Sequence, residues 1–148
     1  MSAQIEIIVA VAADFPAVTA LIIDGLTRRW GNYEPSYNPD LIDFAGRYGA
    51  ETVLVARAEG VLVGCGILVR ESAERACLVR MSVAHELHGR GIGRVLLDAL
   101  VTRARAAGLR EIVCETTTTW DSAVALYTRH GFAVLGERDG DTHFRLVL

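Results

Sequence analysis

The segment His88–Arg94 combines glycines with basic side chains at the start of a helical pattern. Glycines stand at positions 89, 91 and 93, arginines stand at 90 and 94, and an apolar helical stripe follows at once. A helix N-terminus carries unpaired amides and the positive end of a dipole, and glycines let an anion approach the backbone closely. Because glycine inside a helix costs roughly 0.5–1 kcal/mol relative to alanine, the segment predicts a phosphate-binding turn rather than a loop with two solvated arginines.

Two common nucleotide-binding motifs fit this segment poorly. A P-loop requires a lysine directly after its second glycine, and no lysine stands near residues 88–94. The dinucleotide fingerprint requires a third glycine where this chain has Leu96, and it follows a strand directly, whereas a linker precedes these glycines. Nucleotide binding is therefore the weaker alternative.

A strand, a short linker and the pattern R/Q-x-x-G-x-G/A at the start of a long helix resemble the acetyl-CoA-binding segment of the GCN5-related N-acetyltransferase (GNAT) superfamily. Here the pattern reads His88-Gly89-Arg90-Gly91-Ile92-Gly93, with histidine in place of the usual glutamine or arginine. A second segment, SAVALYTRHGF at 122–132, resembles the family's A-x-x-L-Y-x-x-x-G-F pattern at the expected distance. The resemblance implies an N-acetyltransferase that uses acetyl-CoA as co-substrate and no metal.

The resemblance also implies which residues bind the co-substrate. In the family, the pantetheine arm lies between two splayed parallel strands and bonds to the backbone of the strand before the glycines. Carried over to this chain, the strand residues are Met81, Ser82 and Val83, and the amide near Val83 polarises the thioester carbonyl. The pyrophosphate is expected on the backbone of Gly89, Arg90, Gly91, Ile92, Gly93 and Arg94.

Two residues receive catalytic roles from the resemblance. Tyr127 stands where the family commonly has a tyrosine that assists the leaving sulfur. Glu115 lies twelve residues before Tyr127, as does the glutamate of members that resemble ribosomal-protein N-terminal acetyltransferases. A carboxyl group with a pKa near ~4.3 cannot simply deprotonate an amine with a pKa near ~10.4. Glu115 would therefore act through water, with a raised pKa, or as an anchor for the ammonium group.

Two positions depart from the family pattern. Cys77 stands where many members carry a glutamate, and Trp120 stands where asparagine often bonds the CoA arm. Asp121 can replace that contact or cap the following helix. These departures keep an alternative open, a catalytically weak module of the same fold that senses acyl-CoA.

The loop between the first two helices is expected to cover the acceptor, and its charges are mixed. Its arginines can bind a carboxylate, its acidic residues can attract a cation, and its aromatic residues can wall a small molecule. An amino acid-like substrate, a polyamine and a peptide N-terminus all stay open. The residues are Arg28 and Arg29, then Glu34, Asp40 and Asp43, then Trp30, Tyr33 and Tyr37. The four histidines, His85, His88, His130 and His143, have no metal-ligand spacing and are expected in surface or packing positions.

The elements that must position these residues follow from apolar periodicity and from breakers. They predict the order β-α-α-β-β-β-α-β-α-β-β in one domain over residues 1–148, with the second helix capped by Asn38. Hairpins mixed with a β-α-β crossover imply an α/β protein. Its sheet is of the mixed, α+β kind, with parallel and antiparallel strands, and is covered by helices. This is the arrangement of a GNAT-like acyl-CoA N-acyltransferase fold.

Composition narrows the remaining classes of protein. Half of the 148 residues are apolar and the net charge is −3, so nothing favours nucleic-acid binding. The longest apolar run, 61–69, is too short for a membrane span, and the first ten residues lack a basic region typical of a secretory signal. Three widely spaced cysteines suit reduced thiols, so a cytoplasmic protein is expected. The partner is an amine acceptor, and the resemblance allows a homodimer.

Overall fold

The computed structural model describes residues 4–148, so residues 1–3 of the predicted domain lie outside the described residues. The strands are β1 (Ile5–Val9), β2 (Thr52–Ala58), β3 (Val61–Arg70), β4 (Arg75–Val83), β5 (Glu111–Thr117), β6 (Ala133–Arg138) and β7 (Asp141–Val147). The helices are α1 (Phe15–Trp30), α2 (Pro39–Ile42), α3 (Phe44–Tyr48), α4 (Ile92–Ala106) and α5 (Asp121–Arg129). This order confirms the predicted one, except that the second helix is divided in two. No helix within these residues is long and apolar enough to cross a membrane.

The division of the second helix falls at Asp43. Its backbone is not helical (φ −128°, ψ 73°), and its carboxylate accepts a hydrogen bond of 3.1 Å from the Gly46 amide, which caps α3. Asn38 precedes α2 but makes no side-chain cap; its amide donates to the Glu34 carbonyl over 2.9 Å. The prediction of one helix capped by Asn38 is wrong, because the later aspartate caps a helix of its own.

The sheet has the order β1-β2-β3-β4-β5-β7-β6. Every neighbouring pair is antiparallel except β4 and β5. The parallel pair is short: Arg75, Ala76 and Cys77 lie opposite residues 111–113, and pairing stops there. Beyond Cys77 the two strands separate and leave an opening in the sheet.

A bulge at Arg80 bends β4 just after this pairing ends. Ile67 of β3 pairs with Val79, whereas Cys65, two residues earlier, pairs with Ser82, so β4 contains one extra residue. Arg80 takes up that residue with a φ of 53°, and the buried Cys65 thiol donates to its carbonyl over 3.3 Å. Since a bulge bends its strand and increases the local twist, β4 turns away from β5.

Helices cover both faces of the sheet. Helix α1 packs on one face through a cluster that includes Val18, and α4 packs on the other through Leu96 and Leu100. Each fully buried leucine contributes roughly 1.5–3 kcal/mol to folding. Gly66 of β3 lets α4 approach closely, because a Cβ there would lie only 2.7 Å from a Leu100 methyl. The opening between β4 and β5 is therefore framed by rigid, well-packed elements.

Candidate active site

The opening between β4 and β5 continues as a cleft of about 1310 Å³. Its walls come from the end of β4, the start of α4, the end of β5, α5, and the second half of α1. The cleft contains every strand and glycine-segment residue predicted to bind co-substrate except Arg90, and it also contains Glu115 and Tyr127. The structure thus brings together residues that are up to about one third of the chain apart.

One end of the cleft is the N-terminus of α4. Gly91 precedes the helix with a φ of 82°, Gly89 has a φ of 79°, and no side chain caps the helix. The first amides of an α-helix have no partner within it, so those after Gly91 point outward with the positive end of the helix dipole. Arg90 and Arg94 are exposed beside them. The segment Gly89–Arg94 therefore forms a phosphate cradle that fits an anionic group such as a pyrophosphate.

His88 ties this cradle to β4. Its Nε2 donates to the Val83 carbonyl over 2.8 Å, and its ring meets that of His85 edge to face at 5.4 Å between centroids. The side chain thereby spans from the first position of the glycine pattern back to the end of the strand. His88 is exposed, as predicted, and its bond to Val83 is an additional role.

The part of β4 beyond the bulge forms one wall of the opening. Met81 packs against the α4 side, since a Cβ on Gly66 would lie 2.5 Å from its sulfur. Ser82 pairs with Cys65 and faces α1, where its hydroxyl would lie 3.2 Å from a Cβ on Gly25. Met81, Ser82 and Val83 have no pairing with β5, so their backbone faces the cleft rather than a neighbouring parallel strand.

Tyr127 lies at the inner end of the cleft, on α5. It is 6% exposed, and its ring packs on Phe132 and Phe144 at 5.5 and 5.4 Å between centroids. Burial raises the pKa of its phenol well above the ordinary value, and the nearby Cys114 and Cys77 add to this. The hydroxyl makes no hydrogen bond to any other described residue. It is therefore a neutral donor available to a group in the cleft.

Glu115 lies near the end of β5, the strand that borders the opening opposite β4. Its side chain is 58% exposed, and Oε2 lies 3.3 Å from Nδ1 of His143, its cross-strand neighbour on β7. His143 is predicted in a surface or packing position, and its pairing with Glu115 depends on the register of β5 against β7. No local pattern around either residue reveals that register.

A match to a known protein family identifies the class of protein that carries this cleft. Residues 17–132 match the Acetyltransferase (GNAT) family. The chain belongs to this family. It is accordingly an acyltransferase, and the resemblance drawn from the glycine pattern and the Tyr127 segment is confirmed.

Individual relatives agree with this assignment. The chain is 34% identical over 132 residues to the IAA acetyltransferase of Azospirillum brasilense, with 86% of each chain covered. Its fold matches a GNAT acetyltransferase of Staphylococcus aureus with a TM-score of 0.86 at 18% identity, covering 98% of this chain and 99% of that one. It also matches the PaiA N-acetyltransferase of Thermoplasma acidophilum, solved in complex with coenzyme A, with a TM-score of 0.83, 19% identity, and coverage of 98% and 99%.

The two departures from the GNAT pattern have clear structural settings. Cys77 is half-buried, and burial raises the pKa of its thiol to about 11, with Glu71 and Glu115 adding to the shift. It remains a neutral thiol at ordinary pH and cannot replace a carboxylate base. Trp120 stacks on the Arg29 guanidinium, 5.5 Å from its ring centroid. Asp121 occupies the first turn of α5 but makes no side-chain cap, so its expected capping bond is absent.

The acidic residues expected to attract a cation are already engaged in this GNAT chain. Glu34 accepts bonds from the amide and hydroxyl of Ser36, and Asp43 caps α3. Asp40 binds Arg80 through both carboxylate oxygens, at 2.7 and 2.9 Å. Asp40 is thus ion-paired with Arg80 and none of the three carboxylates lines the cleft, so their attraction of a cationic acceptor stays a prediction. Among residues 4–148 no group of three or more His, Cys, Asp or Glu side chains is arranged to hold a metal ion.

Proposed function

We propose that this protein transfers the acetyl group of acetyl-CoA to a primary amine of a small molecule or a peptide N-terminus by direct attack. One observation carries the proposal. A single cleft runs from the uncapped N-terminus of α4, past the unpaired end of β4, to Glu115 and Tyr127. Family membership and the CoA-bound neighbour support acetyl-CoA as the co-substrate.

The residues around the cleft suit the parts of acetyl-CoA. When bound, acetyl-CoA supplies an activated acetyl thioester. The unpaired backbone of Met81, Ser82 and Val83 would hold its pantetheine arm, as an added strand would be held. The segment Gly89–Arg94 would hold the pyrophosphate through outward-pointing amides, with Arg90 and Arg94 contributing positive charge.

Glu115 would bind the incoming amine. It is exposed to the cleft and carries a carboxylate beside His143. A carboxylate is a far weaker base than an amine, so direct removal of a proton from an ammonium group by a carboxylate is strongly uphill. Glu115 would therefore bind and orient the ammonium group, and the attacking species would be the neutral amine that forms from it by proton exchange with bulk solvent.

Tyr127 would assist departure of the sulfur. Its raised phenol pKa keeps the proton on oxygen, so the hydroxyl stays a donor throughout the ordinary pH range. A thiol has a pKa near ~8.5, so complete proton transfer from the phenol is strongly uphill. A hydrogen bond that strengthens as negative charge develops on sulfur is the role that these values favour.

Substitution of Tyr127 by phenylalanine tests the catalytic part. Phenylalanine keeps the packing on Phe132 and Phe144, so the fold should persist. We expect kcat for thiol release from acetyl-CoA to fall ten-fold or more while the acetyl-CoA Kd stays unchanged. Tyr37→Phe is the matched control, because Tyr37 is 85% exposed and lies outside the cleft. An unaltered kcat in Tyr127→Phe would remove Tyr127 from the chemistry.

An amine panel tests the reaction itself. The assay follows thiol release from acetyl-CoA with amino acids, polyamines and short peptides as acceptors. Binding of acetyl-CoA without acceleration by any amine would favour the sensor alternative. Stabilisation by ATP or NAD but not by acetyl-CoA in thermal unfolding would contradict the proposal at its first step.

A further inference from the structure

Arg29 occupies an unusual position in the wall of the cleft. It lies in the last turn of α1, and its guanidinium carbon lies 5.2 Å from the ring centroid of Trp30 and 5.5 Å from that of Trp120. The two indoles come from distant parts of the chain, one on α1 and one before α5. Stacking on both fixes the plane of the guanidinium and limits its access to water.

The charge of Arg29 has no partner. Its Nη2 donates to the Thr119 hydroxyl over 3.1 Å, and its Nε is buried without any acceptor among the described residues. No ion pair involves it within residues 4–148. By contrast, Arg28 pairs with Asp24 and Arg80 pairs with Asp40. A buried donor without an acceptor is unfavourable. The Nε of Arg57 is in the same state, but its guanidinium is paired with Asp14 outside the cleft, whereas Arg29 lines the cleft and has no carboxylate partner among the described residues.

Arg29 and the phosphate cradle belong to helices that pack on opposite faces of the sheet. Helix α1 packs on the face that holds the Val18 cluster, whereas α4 packs on the opposite face. Arg29 reaches the cleft from the α1 side, near the loop between β5 and α5. It is therefore placed to meet the acceptor rather than the pyrophosphate of the co-substrate.

We infer that Arg29 binds a carboxylate of the acceptor, so that the acceptor is an amino acid or a closely similar amine that carries a carboxylate. The inference rests on the proposed function and specifies its substrate class. A guanidinium matches a carboxylate through parallel N–H donors. Glu115, exposed in the same cleft, offers the opposite charge to the ammonium group. Together the two side chains complement a zwitterion, whereas a polyamine would place a cation against Arg29.

Matched acceptor pairs test the inference. L-phenylalanine is compared with phenethylamine, and L-methionine with 3-(methylthio)propylamine, in the wild-type protein and in Arg29→Gln. We expect the wild type to favour a carboxylated member over its partner by at least about ten-fold in kcat/KM, the order expected for a charged hydrogen bond. Arg29→Gln should remove that preference by raising KM for the carboxylated member only, with the acetyl-CoA Kd unchanged. Arg105→Gln is the control, because Arg105 is exposed on α4 and lies outside the cleft.

Each other outcome contradicts a distinct part of the argument. An equal loss for both members of a pair in Arg29→Gln would make Arg29 structural, and a weaker acetyl-CoA Kd would assign it to the co-substrate; either overturns the inference. Turnover of amines without preference for a carboxylate also overturns the inference and leaves the proposed function intact. If no amine is acetylated, the proposed function fails, and calorimetric binding of L-phenylalanine and L-methionine to wild type and Arg29→Gln still decides the inference.

Discussion

Asp40→Ala is expected to lower stability markedly although the residue lies in α2, a helix of only four residues. The Asp40 carboxylate accepts from Arg80 Nη2 at 2.7 Å, from Arg80 Nε at 2.9 Å and from the Tyr48 hydroxyl at 2.6 Å. The Arg80 and Asp40 side chains are only 21% and 15% exposed. Alanine would leave the guanidinium with Asn38 as its remaining side-chain acceptor, at 3.1 Å.

The magnitude follows from this geometry. Removing one partner of a fully buried ion pair costs about 3–5 kcal/mol. Partial exposure and the surviving Asn38 bond reduce this, so we expect a loss of about 2–3 kcal/mol in the free energy of unfolding. For a chain of this size the loss lowers Tm by roughly 4–12 °C. Urea unfolding measures the loss, and Asp24→Ala, which breaks an exposed pair with Arg28, should change little.

The same pair predicts a pH dependence. Burial alone would raise the pKa of the Asp40 carboxyl, but hydrogen bonds from Arg80 and Tyr48 outweigh it and hold the pKa below the ordinary value. The stabilisation is therefore fully present above the unfolded pKa of about 3.9 and is lost as pH falls through the lower folded value. The difference between wild type and Asp40→Ala should shrink below about pH 4. A loss no larger than that of Asp24→Ala, or one that stays constant down to pH 3, would refute the reasoning.

Two further predictions concern the phosphate cradle. Gly91→Ala should destabilise the free protein by about 1–2 kcal/mol, because its φ of 82° strains any side chain; Gly93→Ala should stabilise it by up to about 1 kcal/mol, because that position is helical and its Cβ would lie an ordinary 3.6 Å from Leu126. Urea unfolding measures both changes in the free energy of unfolding. Changes of the same sign would contradict the assignment of Gly91 to a left-handed turn and of Gly93 to the helix. His88→Gln should barely alter the acetyl-CoA Kd, since glutamine can still donate to Val83, whereas His88→Ala should weaken it; calorimetry that finds both variants equal to wild type would show that the bond is dispensable.

Local patterns predicted much of the fold and the residues that line the candidate co-substrate site. The element order and the α4 cradle rest on apolar periodicity, on breakers and on glycines at fixed spacing, all of which lie within about twenty residues. The start of α3 was missed for the same reason that the rest succeeded. Asn38 and Asp43 are both good caps by composition, and only tertiary packing selects between them.

Contacts between distant segments could not be predicted. Asp40 of α2 meets Arg80 of β4, forty residues further along the chain, and Glu115 meets His143 through a strand register that no short pattern specifies. Arg29 was recognised as a candidate for binding a carboxylate, but its place between two indoles depends on where α5 begins relative to α1. The sequence shows which residues are charged, but it does not show which distant residues form ion pairs or hydrogen bonds with them.

The short parallel pairing of β4 with β5 has a mechanical consequence. Three residue pairs join a four-stranded part of the sheet, β1 to β4, to a three-stranded part, β5 to β7. A molecule seated in the cleft touches both parts and spans the break in their hydrogen-bond ladder. A ligand bound in the cleft would then hold the two parts of the sheet together. The slowing of amide exchange on binding should therefore extend along β5 and β7, well beyond the contacted residues.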